Sequence, residues 1–204
     1  MKKIKISPFS IIWLAALIYF KTPNLIPLAA AVAVHELGHI LASRALGIRL
    51  KSAELSMLGA RLETACDPSY SDELILALGG PLFGFLGAAA VAFPAIKHAS
   101  APFCADFLLP FFVISLCLNI FNLIPISIFD GGRILKCLLC RRFSLDFAES
   151  ILNICTFLSL FSLWLLAVYM LLKSATGLPM LVFSSIFFAK CFVFKSKNGE
   201  NKRF

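Results

Sequence analysis

Val32-Ala33-Val34-His35-Glu36-Leu37-Gly38-His39-Ile40-Leu41 places two imidazoles and a carboxylate inside a run that is otherwise apolar. Residues four apart on a helix lie one above the other on the same face. His35 and His39 can therefore grip one metal ion if this run is helical. Glu36, beside the first histidine, is placed to act as a general base. The chain has 3 histidines, and two of them are here.

The surroundings of this stretch set the class of protein. Of 204 residues, 60% are hydrophobic and 15% charged, well above the apolar share of about 45–50% in soluble domains. The excess falls in long blocks, which reads as an integral membrane protein with the lipid bilayer as its medium. A span needs roughly 20 apolar residues. About six blocks are expected to span: residues 7–20, 25–46, 74–96, 107–124, 147–172 and 181–194. The first is read as an uncleaved span, because Tyr19-Phe20-Lys21 offers no small-residue cleavage site. The expected fold is an all-α polytopic membrane protein. Residues 1–194 form one intramembrane domain, and 195–204 form a polar, disordered cytoplasmic tail. Residues 53–62 alternate imperfectly around Gly59, so this connection reads either as a short β-hairpin dipping into the membrane or as an ordinary loop.

The net charge of +8 does not point to nucleic acid, since no basic cluster carries interleaved aromatics for base stacking. Its distribution instead follows the positive-inside rule. Sixteen of the 19 lysines and arginines fall on one side of the expected spans, and Lys21, Lys97 and Lys173 fall on the other. Both termini are then cytoplasmic. The histidine pair on span two and the break after span four lie at matching depth in the cytoplasmic half. The 7 cysteines are scattered and form no disulfide framework, and Cys137/Cys140, a lone CxxC, reads as helix packing.

Each ionisable residue at the membrane centre costs at least about 2.5 kcal/mol on insertion scales. Three within five residues need a compensating interaction, and metal ligation supplies one. Catalytic zinc usually has three protein ligands, so a third must come from elsewhere. His98 and Asp106 fall at the far side of the membrane. Glu54 and Glu63 follow in the amphipathic connection, and Glu63 is a genuine rival. Asp130 fits best: it follows Pro125 in backbone broken near membrane depth, just before Gly131-Gly132. Asn122, at the end of span four, either satisfies backbone groups freed by the proline or holds a substrate carbonyl or oxyanion. With one Zn2+ per chain, Glu36 would take the proton of the attacking water and pass it to a leaving amine. A helical substrate would have to unwind to offer its carbonyl. Two other classes use the same ligands: a metal transporter or metal-binding membrane protein without proteolysis, and an inactive scaffold.

His35-Glu36-Leu37-Gly38-His39 together with Asn122-x-x-Pro125-x-x-x-x-Asp130-Gly131-Gly132 resembles the site-2 proteases, intramembrane zinc metalloproteases of M50 type. The layout and short length are similar to the stage IV sporulation protein FB branch. The resemblance covers most of residues 26–142. It implies that His35, His39 and Asp130 are zinc ligands, Glu36 the catalytic base and Asn122 a substrate-positioning residue. Gly79-Gly80-Pro81 resembles the family's glycine-proline element, although Phe83 and Gly84 stand where a polar residue often follows. The implied substrate is a membrane-associated or transmembrane regulatory protein, of the pro-sigma type cut during sporulation or of the anti-sigma type. Inhibitory membrane partners and a bacterial cell membrane or forespore-surrounding membrane come with that branch. The oligomeric state is not implied.

Overall fold

The structure, a computed structural model, describes residues 3–6, 24–48, 50–56, 59–64, 68–98, 100–174, 178–189 and 191. It divides into two compact units, Met1–Leu123 and Ile124–Phe204.

The first unit is built on three helices that pack on one another: α1 (Leu25–Ala45), α2 (Tyr70–Lys97) and α3 (Leu109–Asn122). Ser69 caps α2 by accepting from Asp72 N–H, and Asp72 and Glu73 complement the positive end of the helix. A π-helical turn, Cys104–Leu108, leads into α3. Helices α1 and α2 touch main chain to main chain where Gly38 meets Gly79. A Cβ on Gly79 would come within 2.7 Å of Gly38 O, and one on Gly38 would collide with Gly79 O. Side chains at either position would push the helices apart, so the glycines set how closely α2 approaches the histidine face. Three short strands also belong to this unit: β1 (Lys3–Ile6), β2 (Leu50–Ser56) and β3 (Gly59–Thr64). Strands β2 and β3 pair antiparallel, with Ser56 opposite Gly59, and β1 runs parallel to β2. These are backbone pairings only. They lend no support to a segment dipping into a membrane.

The second unit contains α4 (Asp130–Cys140), α5 (Leu145–Ser174) and α6 (Leu178–Phe188). Helices α4 and α6 both pack on α5. Thr156, buried on α5, accepts from Ser127 N–H at 3.0 Å. Phe129 and Phe187 pack with their rings tilted, centres 5.3 Å apart.

The described residues are mostly helical, and four helical segments are long and apolar enough to cross a membrane: Leu25–Ala45, Tyr70–Lys97, Cys104–Asn122 and Leu145–Lys173. They match four of the six expected spans among the described residues. The first expected span, residues 7–20, lies outside the described residues. Of the sixth, α6 (Leu178–Phe188) is described, and residues 192–194 lie outside the described residues. The backbone after Pro125 is irregular only to Phe129, because α4 starts at Asp130. Gly131-Gly132 is therefore part of a helix rather than a break. A side chain at Gly132 would strike Ile126 O, so glycine there permits a tight turn of chain against the new helix.

The interior mixes apolar and polar side chains, while many large apolar side chains lie outside. Ser43, Ser115, Asn119, Thr156 and Ser184 are buried, while Ile26, Phe93, Phe103 and Leu172 are exposed. An apolar exterior over a partly polar, small-residue interior suits helices surrounded by lipid, where polar groups must find partners within the protein.

Candidate metal centre

His35 and His39 lie on the face of α1 that meets α2 and α3, and each is only 4% exposed. Their rings stand edge to face, with centres 4.9 Å apart. The two Nε2 atoms are 3.3 Å apart, and the outer nitrogens explain this. His39 Nδ1 is 2.8 Å from Leu76 O on α2. A carbonyl oxygen only accepts, so His39 Nδ1 carries the proton. His35 Nδ1 is 2.8 Å from Asn119 Oδ1 on α3. The Asn119 amide donates through Nδ2 to Ser115 O, which fixes the oxygen towards His35. His35 Nδ1 is therefore the donor in that pair.

With both protons on Nδ1, two Nε2 lone pairs point into one space. At 3.3 Å they repel unless a cation lies between them. Two nitrogens each about 2.0–2.1 Å from one tetrahedral zinc would themselves be about 3.3 Å apart. Gly80 keeps the space open, since a Cβ there would strike His39 Nε2 and come within 2.8 Å of His35 Nε2. The residues present thus fit a divalent metal. Glu36 is next in sequence to His35, and its Oε2 is shielded from solvent.

Other expected residues are placed as follows. Asn122 is the last residue of α3 and is half-buried. Asp130, in the second unit, is the first residue of α4, 8% exposed, with Arg133 Nη1 at 3.4 Å from its Oδ1. The position favours a carboxylate, because the helix N-terminus carries partial positive charge. His98 caps the end of α2 and is exposed, and Asp106 is exposed in the π-helical turn. The rival ligand Glu63 lies on β3, its backbone opposite Ser52.

The sequence did not single out Asn119, Ser115 or the carbonyl of Leu76. Asn119 and Ser115 are both fully buried, and they are polar residues four apart inside an apolar span. That is a visible sign of an internal hydrogen-bond network.

Residues 95–166 match the family model of Peptidase family M50. The matched stretch holds Ser115, Asn119, Asn122 and Asp130, and lies downstream of the histidine pair. The chain is also similar in structure to the Site-2 Protease from Methanocaldococcus jannaschii, with a TM-score of 0.65 at 22% sequence identity. That likeness covers 91% of this chain and 87% of the other, and at this identity it establishes the fold. No curated protein matches the chain. The M50 match and the apolar helices support a membrane-embedded metalloendopeptidase.

Proposed function

We propose that the chain is an intramembrane zinc endopeptidase that cleaves a membrane-associated or transmembrane regulatory protein near the cytoplasmic face. The observation that carries the reading is the pair of Nε2 lone pairs converging at 3.3 Å beside Glu36 on a membrane-length helix. His35 and His39 are the first two ligands. Asp130 is assigned the third, because it is a buried carboxylate at the start of α4, within the stretch that matches the M50 family model. When bound, zinc would lower the pKa of a water and polarise the scissile carbonyl. Glu36 accepts the proton of the attacking water and delivers it to the departing amine nitrogen. Asn122, at the end of α3, holds the substrate backbone. The surrounding apolar helices limit water, so the substrate helix must unwind locally to present its carbonyl. The distribution of lysine and arginine supports cytoplasmic termini and access from that side. A pro-sigma or anti-sigma factor has the membrane-proximal segment such a site requires.

The test is co-expression with single-pass and pro-sigma substrates, with zinc measured in the purified protein. Glu36→Gln should retain zinc and lose cleavage by about 10²–10⁴-fold, the usual range for general acid–base catalysis. Asp130→Asn should lose both metal and cleavage. Undiminished cleavage by Glu36→Gln would overturn the reading.

A further inference from the structure

We propose that Asn119 is the positioning residue of the metal centre, holding His35 in its ligating tautomer through a relay that runs to the main chain of α2. The inference rests on the metal reading above and extends it to residues outside the ligand set.

The relay can be followed atom by atom. Gly84 O on α2 accepts from Ser115 Oγ on α3 at 3.0 Å. Asn119 Nδ2 donates to Ser115 O and is 3.5 Å from Ser115 Oγ. Asn119 Oδ1 then accepts from His35 Nδ1 at 2.8 Å. Ser115 and Asn119 are both 0% exposed, so no water competes for these groups. The amide has one orientation that satisfies both neighbours. Flipping it would set Nδ2 against His35 and Oδ1 against the Ser115 carbonyl, two acceptors facing each other. Asn119 thereby dictates that Nδ1 of His35 is protonated and that Nε2 carries the lone pair. An imidazole left to itself favours neither arrangement so strongly, and its ring can rotate. Gly84 is part of the device, because a Cβ there would overlap the Asn119 amide. Outer partners that fix a ligating histidine typically contribute 10–100-fold in metal affinity.

The experiment uses the full chain in detergent, stripped of metal and titrated with Co2+ and Zn2+ against a chelator of known affinity. Asn119→Ala should weaken binding 10–100-fold. Asn119→Asp keeps an acceptor for His35 Nδ1 but loses the donor to Ser115 O, so it should weaken binding by less than Asn119→Ala does. A second readout needs no metal. With only 3 histidines in the chain, 15N-histidine spectra of the apo protein resolve each ring. His35 should be the Nδ1–H tautomer in the unaltered chain and in Asn119→Asp, and a tautomer mixture in Asn119→Ala.

If Asn119 served only to join α2 and α3, Asn119→Ala would lower the apo melting temperature while leaving the His35 tautomer and the cobalt affinity unchanged. That result overturns the proposal, as does Asn119→Asp binding as weakly as Asn119→Ala. Should Asn119→Ala fail to fold, Ser115→Ala removes the hydroxyl link and must shift the His35 spectrum and reduce affinity by a smaller factor. No shift in Ser115→Ala would count against the relay. Failure of the unaltered chain to bind any metal would refute the zinc reading, whereas the apo tautomer would still decide the role of Asn119.

Discussion

His35 and His39 stand one turn apart on α1, yet different neighbours hold them by different means. His39 is fixed by α2 through a main-chain carbonyl, that of Leu76. His35 is fixed by α3 through a side chain, that of Asn119, itself held by Ser115. A main-chain support survives any substitution that preserves the helix. A side-chain support is lost with one. The α2 face of the site is therefore robust, and the α3 face is the one at which affinity can be tuned.

Three substitutions probe that difference. Gly80→Ala should have the largest effect, because its methyl group would occupy the space between the two Nε2 atoms. Metal content should fall to background, and cleavage with it, whichever support is intact. Stoichiometric zinc in the purified variant would show that the ligands converge elsewhere. Gly84→Ala comes next. Its Cβ would displace the Asn119 amide, so the same 10–100-fold loss of affinity as in Asn119→Ala is expected. Combined with Asn119→Ala, it should add little further loss, since both act on one support. The smallest effect on the metal belongs to Leu76→Ala. Deleting this fully buried side chain should cost about 2–5 kcal/mol of stability. The carbonyl that holds His39 remains, so cobalt affinity should stay within a few-fold of the unaltered chain. A 10-fold or greater loss would mean that the α2 support depends on side-chain packing after all.

Much of this was legible in the sequence. The helix carrying the histidines was expected over 25–46 and runs from Leu25 to Ala45, because a long apolar run bounded by Pro23 and Gly47 leaves little choice. The same reasoning located the helices beginning at Tyr70 and Leu145. Gly131-Gly132 was misread. Two glycines ordinarily interrupt a helix, but here Gly132 is required by contact with Ile126 O, a steric demand that no local pattern announces. Of the polar residues in span four, Asn122 drew attention by its spacing from Pro125 and Asp130. Asn119, one turn earlier, is the residue that reaches His35.

The sequence alone determined the histidine pair and its apolar setting. Both follow from local rules: a 3.6-residue turn brings His35 and His39 together, and a run of apolar residues partitions into lipid. Only tertiary structure decided which nitrogen of each ring faces the site. That choice is made by Leu76 O, 37 residues from His39, and by Asn119 Oδ1, 84 residues from His35. A tautomer is set by whichever hydrogen-bonding group packs against the outer nitrogen, and packing partners so distant in the chain are chosen by the crossing of helices.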